Sequence, residues 1–155
     1  MTELQATGRR FAVVVSSFNK DITDGLLHGA HAALTDAGVK TADVTTVRVP
    51  GAFEIPLAAR RLARSGRYDA VICLGCLIKG DTMHFEYIAD AVSHGIMAVT
   101  ADTGIPVTFG VLTTLTEEQA AARAAEGPGN KGREAARAAV EMATIVQELG
   151  DGGQA

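Results

Sequence analysis

Several features of membrane, secreted and nucleic-acid-binding proteins are absent from this sequence of 155 residues. No apolar run approaches the roughly 20 residues that span a bilayer, and the polar start at residues 1–10 lacks the apolar stretch of a signal peptide. Lysine and arginine together number 14 against 18 aspartates and glutamates, so the net charge of −4 offers no general positive field to a polyanion. These absences predict a cytoplasmic protein that binds neither a membrane nor nucleic acid.

Cysteine is also scarce, and the only two cysteines, Cys73 and Cys76, form a Cys-x-x-Cys pair that could hold a metal or a redox disulfide. The surrounding residues 70–74 are typical of a buried strand, and side chains three apart on a continuing strand point to opposite faces. We therefore interpret both as buried strand residues. The letters Gly-x-Gly-x-x-Gly at 127–132 follow a predicted helix rather than a strand, which removes the dinucleotide interpretation. The sequence thus indicates neither a metal nor an organic cofactor.

The remaining composition is that of an ordinary globular domain, with 47% hydrophobic and 21% charged residues and few aromatics at 5%. The length is close to the commonest size of one domain. We predict a single domain over residues 1–155, with residues 1–9 and 150–155 as flexible ends.

Four short apolar runs alternate with longer helical patterns, which predicts βαβ units with a parallel sheet between layers of helices. The predicted strands are 11–16, 44–49, 70–75 and 107–113. The predicted helices are 22–37, 56–63, 82–100, 116–123 and a last one after Gly127-Pro128-Gly129, for which Asn130 is the expected cap. In the last helix one apolar stripe is formed by Ala135, Ala138, Met142, Ile145 and Leu149.

Residues suited to chemistry follow the ends of the predicted strands, where open parallel sheets bind ligands. They are residues 17–19, 50–54, 76–84 and 113–114. If a helix opens at Gly80 to Thr82, its free N–H groups and dipole form a site for phosphate, although Thr82 is equally well suited to act only as a helix cap. His84 follows in the same segment, and an imidazole can transfer protons near neutral pH.

Three of these segments carry long motifs: Val-Pro-Gly-Ala-Phe-Glu-Ile-Pro at 49–56, Leu-Ile-Lys-Gly-Asp-Thr-Met-His-Phe-Glu at 77–86 and Phe-Gly-Val-Leu-Thr-Thr at 109–114. Together they resemble the lumazine synthase family, in one collinear order from about Arg10 to Leu149. The resemblance implies a flavodoxin-like three-layer α/β/α sandwich with a four-stranded parallel sheet. It also implies condensation of 5-amino-6-(D-ribitylamino)uracil with 3,4-dihydroxy-2-butanone 4-phosphate to 6,7-dimethyl-8-ribityllumazine, the penultimate step of riboflavin biosynthesis.

The resemblance further assigns roles to individual residues. Phe18 matches the aromatic residue that stacks on the pyrimidine, and His84 matches the proton donor. The ribityl-uracil is expected to contact Ala52, Phe53, Glu54, Cys76, Leu77 and Ile78, largely through backbone groups. The phosphate is expected at Asp81 and Thr82, with Asp81 acting through its backbone N–H or as a helix cap. Phe109 and Arg123 match residues that a neighbouring subunit contributes, Phe109 to the ribityl-uracil and Arg123 to the phosphate, and Lys131 is expected near the same pocket.

The family assembles rings of five subunits, and some members build twelve rings into a hollow shell. Shell-forming members often carry Gly-Thr-Lys-Ala-Gly-Asn where this chain has Ala-Glu-Gly-Pro-Gly-Asn at 125–130, so assembly beyond the pentamer stays open. A functional association with riboflavin synthase is also implied. Two alternatives remain: an archaeal-type riboflavin synthase, and a non-catalytic lumazine-binding or shell protein. The Ala52-Phe53-Glu54 and His84 motifs favour the synthase over the first, and His84, Thr82 and Arg123 favour an enzyme over the second.

Overall fold

The chain folds as a four-stranded parallel sheet with helices on both faces. A computed structural model describes residues 4–150, so the parts of the predicted flexible ends at 1–3 and 151–155 lie outside the described residues. The strands are β1 (Phe11–Ser16), β2 (Val44–Val49), β3 (Ala70–Ile78) and β4 (Val107–Thr114), in the spatial order β2-β1-β3-β4. The helices are α1 (Lys20–Asp36), α2 (Ile55–Arg64), α3 (His84–Thr103), α4 (Glu117–Ala124) and α5 (Lys131–Leu149). The expected α/β fold of flavodoxin type is confirmed.

Side chains of the strands alternate between two hydrophobic cores, one on each face of the sheet. From β1, Phe11 and Val13 pack with α1, α4 and α5, whereas Ala12 and Val14 pack with α2 and α3. All of β1 is buried, which is why this central strand reads in the sequence as a continuous apolar run rather than an alternating one. Residues 4–9, predicted as part of a flexible arm, contact the first core: Ala6 is buried, and its N–H donates to the Ala37 carbonyl at 2.8 Å.

The two cysteines lie on opposite faces of β3, as the strand interpretation predicts. Cys73 belongs to the core under α2 and α3, and Cys76 belongs to the core under α1 and α5. Both are free thiols. Burial raises the pKa of Cys73 from 9.0 to about 12, and burial together with the charge of Glu117 raises the pKa of Cys76 to about 11.

We therefore expect both thiols of the native protein to react slowly with Ellman's reagent. Each unit of raised pKa lowers the thiolate fraction about tenfold. Cys76 should therefore react roughly 100-fold and Cys73 roughly 1,000-fold more slowly than in the denatured protein, even before steric protection is counted. The measurement is the absorbance of released thionitrobenzoate in native buffer and in guanidinium chloride. Rapid oxidation of the pair to a disulfide in the native state would contradict the opposed orientation.

Several element boundaries differ from the sequence prediction, and two of these differences bear on the strand ends where ligands were expected. β3 continues three residues beyond the predicted end at 75, because its pairing with β4 runs on to Ile78 opposite Thr114. Helix α3 begins at His84 rather than at Thr82, and the Thr82 hydroxyl accepts the His84 N–H at 3.3 Å from outside the helix. Glycine, aspartate and threonine are weak helix formers, and short hydroxyl side chains compete for backbone N–H groups, which accounts for the later start.

The apolar stripe predicted for α5 is not the face that the helix buries. Of its five members only Ala135 is buried; Met142 and Ile145 are each 40% exposed and Leu149 is 79% exposed. The buried face consists instead of small residues: Gly132, Ala135, Ala136, Ala139, Val140 and Ala143. The larger residues of the stripe stay exposed because α5 packs so closely on α1 that small side chains are required at the contact.

Asn130 ties the start of α5 to α1 and α4. Its side-chain oxygen caps α5 by accepting the Arg133 N–H at 2.9 Å, which confirms the predicted cap. Its amide nitrogen donates to the carbonyls of Gly25, Ala124 and Ala125 at 3.0–3.1 Å. The side chain is only 2% exposed, so these hydrogen bonds satisfy its buried polar atoms.

Across residues 4–150, none of the helices combines the length and the apolar character needed to cross a bilayer.

Candidate active site

The strand order creates a crevice at the carboxyl ends of β1 and β3. These strands are neighbours in the sheet, but α1 packs on one face and α3 on the other, so the connections after them diverge. Such a switch point is where open α/β sheets bind ligands. A cavity of about 410 Å³ lies there, within the size range of ordinary small-molecule sites.

Nine of the residues singled out from the sequence line this cavity. They are Phe18, Ala52, Phe53, Glu54, Cys76, Leu77, Ile78, Thr82 and His84. They come from three separate segments of the chain, each at the end of a strand or directly after it, so the sheet topology alone brings them together. The structure therefore groups as one surface the residues that the sequence motifs placed far apart.

The segment after β1 presents an aromatic ring to the cavity. The N–H groups of Ser17 and Phe18 donate to the carbonyls of Val49 and Pro50, at 2.8 and 3.1 Å, which fastens this loop to the end of β2. The Phe18 side chain is 71% exposed. An exposed ring on a fixed backbone is suited to stacking against a flat heterocycle, because it loses little conformational freedom on binding.

The segment after β2 is held by its own carboxylate. Glu54 accepts the N–H of Gly51 at 2.9 Å through one side-chain oxygen, and a short 3₁₀ turn at Ala52–Glu54 leads into α2. Pro56 in the first turn of α2 has no N–H to leave unpaired there. The Glu54 side chain thus holds the conformation of this loop. Phe53, which lies on the loop, is 59% exposed.

The end of β3 offers unpaired backbone to the cavity. β1 pairs with β3 only as far as Leu74, whereas β4 continues the pairing on the other edge to Ile78. The N–H of Lys79 donates to the Thr114 carbonyl at 2.9 Å, so by the alternation of a strand the main-chain groups of Ile78 point away from β4, toward the cavity. A free strand edge binds planar groups that carry both donors and acceptors, as a uracil ring does.

The segment from Lys79 to His84 closes the cavity above α3. Lys79 forms an ion pair with Glu86 at 3.1 Å, and this hydrogen bond lowers the pKa of Glu86. Gly80 and Thr82 line the cavity, whereas Asp81 is exposed on the same segment and is not among the lining residues. His84 is the first residue of α3, so its imidazole lies at the positive end of the helix dipole.

Phe109, Arg123 and Lys131 lie elsewhere, in a second cavity of about 350 Å³ between β4 and α5. No residue lines both cavities. Phe109 is 46% exposed on the edge strand β4. Arg123 is exposed near the end of α4, with one N–H donating to the Gln119 carbonyl at 3.0 Å, and Lys131 pairs with Glu134 at 3.1 Å. The fold of this chain therefore does not bring these three residues to the first cavity.

Four other lining residues were given no individual role from the sequence: Asn19, Gly51, Phe85 and Ile88. Asn19 and Gly51 lie in the segments 17–19 and 50–54 that the sequence singled out, and Phe85 lies in the motif at 77–86, whereas Ile88 lies outside all of them. Phe85 and Ile88 could have been found from their spacing, since residues three apart share a helix face. Asn19 could have been found from its place between a strand and a helix, where asparagine is favoured because it tolerates left-handed backbone. Among residues 4–150, no group of three or more histidines, cysteines, aspartates or glutamates could hold a metal ion.

Comparison with known proteins shows that the chain is similar to one protein family over nearly its whole length. Residues 8–147 match the family model described as 6,7-dimethyl-8-ribityllumazine synthase. The chain is 51% identical over 146 residues to a protein of that name from Desulfotalea psychrophila, covering 94% of each. It is also 51% identical over 147 residues to one from Salinibacter ruber, covering 95% of this chain and 94% of the relative.

A solved structure, a GDP-L-fucose synthetase from Naegleria fowleri, aligns with a TM-score of 0.38 and 12% identity over 96% of this chain and 48% of its own. That likeness is too distant to carry an argument. The two relatives, in contrast, are similar to this chain across nearly its whole length.

Proposed function

We infer that the chain, which belongs to the 6,7-dimethyl-8-ribityllumazine synthase family, catalyses the reaction of that family. It is a transferase of riboflavin biosynthesis that condenses 5-amino-6-(D-ribitylamino)uracil with 3,4-dihydroxy-2-butanone 4-phosphate. The products are 6,7-dimethyl-8-ribityllumazine, inorganic phosphate and water. The family match over residues 8–147 carries this conclusion. The cavity at the β1/β3 switch point, which the family's motifs line, supports it.

The deciding experiment supplies the purified protein with both substrates and follows formation of the lumazine by absorbance. Product should form much faster than in buffer. A second reaction supplies the lumazine alone, because a riboflavin synthase would convert it to riboflavin and this protein should not. Product formation no faster than in buffer would contradict the assignment.

The first cavity is proposed to hold the pyrimidine substrate. The ring would stack on Phe18 and its polar edge would face the main chain of Cys76 to Ile78, with the ribityl chain along the loop of Ala52, Phe53 and Glu54. This placement is supported by the exposed ring and by the strand edge that β1 leaves without a partner. It uses mainly backbone groups, which no side-chain substitution removes.

The phosphate of the second substrate is proposed to bind near the start of α3. The helix dipole favours an anion at that end, and Asp81 would contribute through its backbone N–H, because its carboxylate repels phosphate. The Thr82 hydroxyl, which accepts the His84 N–H, also has a proton to donate. Arg123 of a neighbouring subunit would complete this site, with its guanidinium fork on the phosphate and Lys131 nearby.

The reaction requires no single side chain beyond one that transfers protons. The 5-amino group of the pyrimidine attacks the ketone and forms an imine with loss of water; the imine then loses phosphate, and the ribityl-bearing nitrogen closes the second ring with loss of water. Each step moves protons, a role proposed for His84. Holding two reactants in contact can supply roughly 7–11 kcal/mol of the barrier, so positioning dominates this proposal.

Replacing His84 by alanine is therefore expected to lower kcat by roughly 10- to 100-fold without abolishing turnover, because water can carry the protons of substrates that remain positioned. The measurement is steady-state kinetics with both substrates. His94→Ala is the matched control, since His94 lies on the same helix and its side chain is 78% exposed and paired with Asp90. Equal kcat for His84→Ala and the wild type would remove His84 from the mechanism.

A homo-oligomer is part of the proposal, because Phe109 and Arg123 do not line the first cavity of their own subunit. Exposed apolar side chains on α5, including Met142, Ile145 and Leu149, support burial of this face against another subunit. A pentameric ring is the expected unit. Sedimentation velocity distinguishes monomer, pentamer and a shell of twelve pentamers, and a monomeric active enzyme would contradict the shared site.

The substrates are small molecules, and a cytoplasmic location is proposed together with the function. The two buried free thiols are consistent with a reducing compartment. A functional association with riboflavin synthase, which would consume the product, belongs to the same proposal.

A further inference from the structure

Asn19 has a backbone conformation that calls for an explanation. Its φ of 58° and ψ of 51° are left-handed, and it is the sole non-glycine residue with positive φ between residues 4 and 150. It precedes α1 as the N-cap, a position where an asparagine side chain usually accepts a backbone N–H of the first turn. Here the side chain makes no such hydrogen bond. The hydrogen-bond partner of the Asn19 side-chain amide must therefore lie outside α1.

That contact is with β3. The Asn19 amide nitrogen donates to the Cys76 carbonyl at 3.2 Å. β1 ends at Ser16 and pairs with β3 no further than Leu74, so beyond that point no strand occupies this edge of β3. The amide thus satisfies a carbonyl that a longer β1 would have bonded. The next main-chain groups on the same edge are those of Ile78, which also lines the cavity.

The backbone of Asn19 fixes the other side of the crevice. Its carbonyl accepts the N–H groups of Ile22 and Thr23, both at 3.0 Å, which starts α1. The preceding residue, Phe18, is fastened to Pro50 at the end of β2. Within the described residues 4–150, the Asn19 side chain is therefore the one hydrogen-bonded link between the loop that carries the Phe18 ring and the cavity edge of β3.

We propose that Asn19 is a positioning residue that sets the spacing between the Phe18 ring and the Cys76–Ile78 strand edge, and thereby the fit of the pyrimidine substrate. The inference rests on the proposed function, since it assigns Asn19 to the pyrimidine half of that site. Asn19 acts through Phe18 and β3 rather than by touching the reacting atoms. Its loss should consequently weaken pyrimidine binding more than the chemical step or the binding of the phosphorylated butanone.

Three substitutions distinguish the effect of losing the Asn19 side-chain amide from the effect of straining the left-handed backbone. Asn19→Gly keeps left-handed backbone at no cost and removes the amide; we expect the KM for the pyrimidine to rise roughly 3- to 10-fold, the loss of one neutral hydrogen bond. Asn19→Asp faces a carboxylate against the Cys76 carbonyl and should raise that KM further. Asn19→Ala loses the amide and strains the backbone, so its melting temperature should also fall by roughly 2–8 °C.

The controls decide between positioning and a purely structural role. The KM for the butanone phosphate and kcat should change less than twofold in Asn19→Gly, and its melting temperature should fall by no more than about 4 °C, the loss of one neutral hydrogen bond. Lys20→Ala, at the next and exposed position, should leave all of these values unchanged. If the pyrimidine KM of Asn19→Gly equals that of the wild type, or if this variant fails to fold, the amide has no positioning role.

Failure of this inference is distinguishable from failure of the proposed function. The wild type is assayed first; if it forms no lumazine, the function and the inference fall together. If the wild type is active and Asn19→Gly shows equal rises in both KM values, or a loss of kcat alone, the function stands and the assignment of Asn19 to the pyrimidine half is overturned.

Discussion

Replacing Arg123 by alanine is expected to raise the KM for 3,4-dihydroxy-2-butanone 4-phosphate by roughly 30- to 1,000-fold, a loss of about 2–4 kcal/mol of binding free energy. The substitution removes the guanidinium and with it the proposed charge-assisted hydrogen bonds to the phosphate, which would be partly shielded from water between two subunits. The KM for the pyrimidine should change little, because Arg123 is proposed to contact only the phosphate and most of the proposed pyrimidine contacts lie in the other cavity. Steady-state kinetics with one substrate varied at a time measures both values.

Two further variants refine this expectation. Arg123→Lys keeps the charge but loses the fork, so it should recover part of the affinity. Arg64→Ala is the matched control, since Arg64 is an exposed arginine near the end of another helix, α2. An unchanged KM for the phosphorylated substrate in Arg123→Ala would place the phosphate elsewhere.

Mixing subunits tests whether the site is shared. If His84 and Arg123 of one site come from different subunits, co-expressed His84→Ala and Arg123→Ala chains form rings in which about a quarter of the sites carry both native residues, given equal and random mixing. Activity at low phosphorylated substrate should then exceed that of either variant alone. If both residues of a site belonged to one chain, mixed rings would be no more active than the average of the two variants.

Much of the fold was predictable because it depends on local pattern. The bounds of β1 and β2 match the prediction, since each is a short apolar or β-branched run with clear breaks on both sides. The cap of α4 was also predictable: Thr116 accepts the Gln119 N–H at 3.1 Å, while the Gln119 side chain reaches back to the N–H of Leu115 rather than to that of Thr116 itself. Signals of this kind lie within a few residues of one another.

The parts that were not predictable depend on contacts distant in sequence. The last three residues of β3 are in the strand because they pair with β4, about 35 residues later in the chain, and no residue near them in sequence predicts this pairing. On α5 an alanine-rich sequence offers two apolar stripes, and only the close approach of α1 decides that the one with smaller residues is buried. In the candidate site, too, local sequence identified some features and contacts distant in sequence determined others. Its motifs identified the strand ends, but the hydrogen bond from Asn19 to Cys76 joins residues 57 apart and could be found only in the folded chain.

The contact of α5 with α1 leads to the largest expected effect on stability. Gly132 lies against the backbone of Leu26, and a Cβ at this position would overlap the Leu26 carbonyl oxygen and lie 2.6 and 2.8 Å from the Leu26 carbonyl carbon and Cα. Backbone atoms inside a helix cannot turn aside as a flexible side chain can, so α5 would have to move away from α1. Gly132→Ala is therefore expected to lower the free energy of unfolding by roughly 3 kcal/mol.

Two glycines in the connection before α5 separate this steric effect from general effects of replacing glycine. At Gly129 a Cβ meets no atom within 4 Å, so Gly129→Ala should be neutral or stabilise by up to about 1 kcal/mol through the unfolded state. At Gly127 the space is also open but φ is 121°, so Gly127→Ala should destabilise through backbone strain alone, by roughly 1–2 kcal/mol.

The three alanine variants are compared by thermal unfolding, with sedimentation measured in parallel so that a change of assembly is not mistaken for a change of fold. The melting temperature of Gly132→Ala should fall by roughly 6–12 °C, that of Gly127→Ala by less, and that of Gly129→Ala not at all. Since Gly132 lies three residues from Gly129, a similar fall in both would mean that the whole connection, rather than the Gly132 contact with Leu26, limits stability. A Gly132→Ala protein as stable as the wild type would show that α1 and α5 can separate at little cost, against the close packing that their small residues indicate.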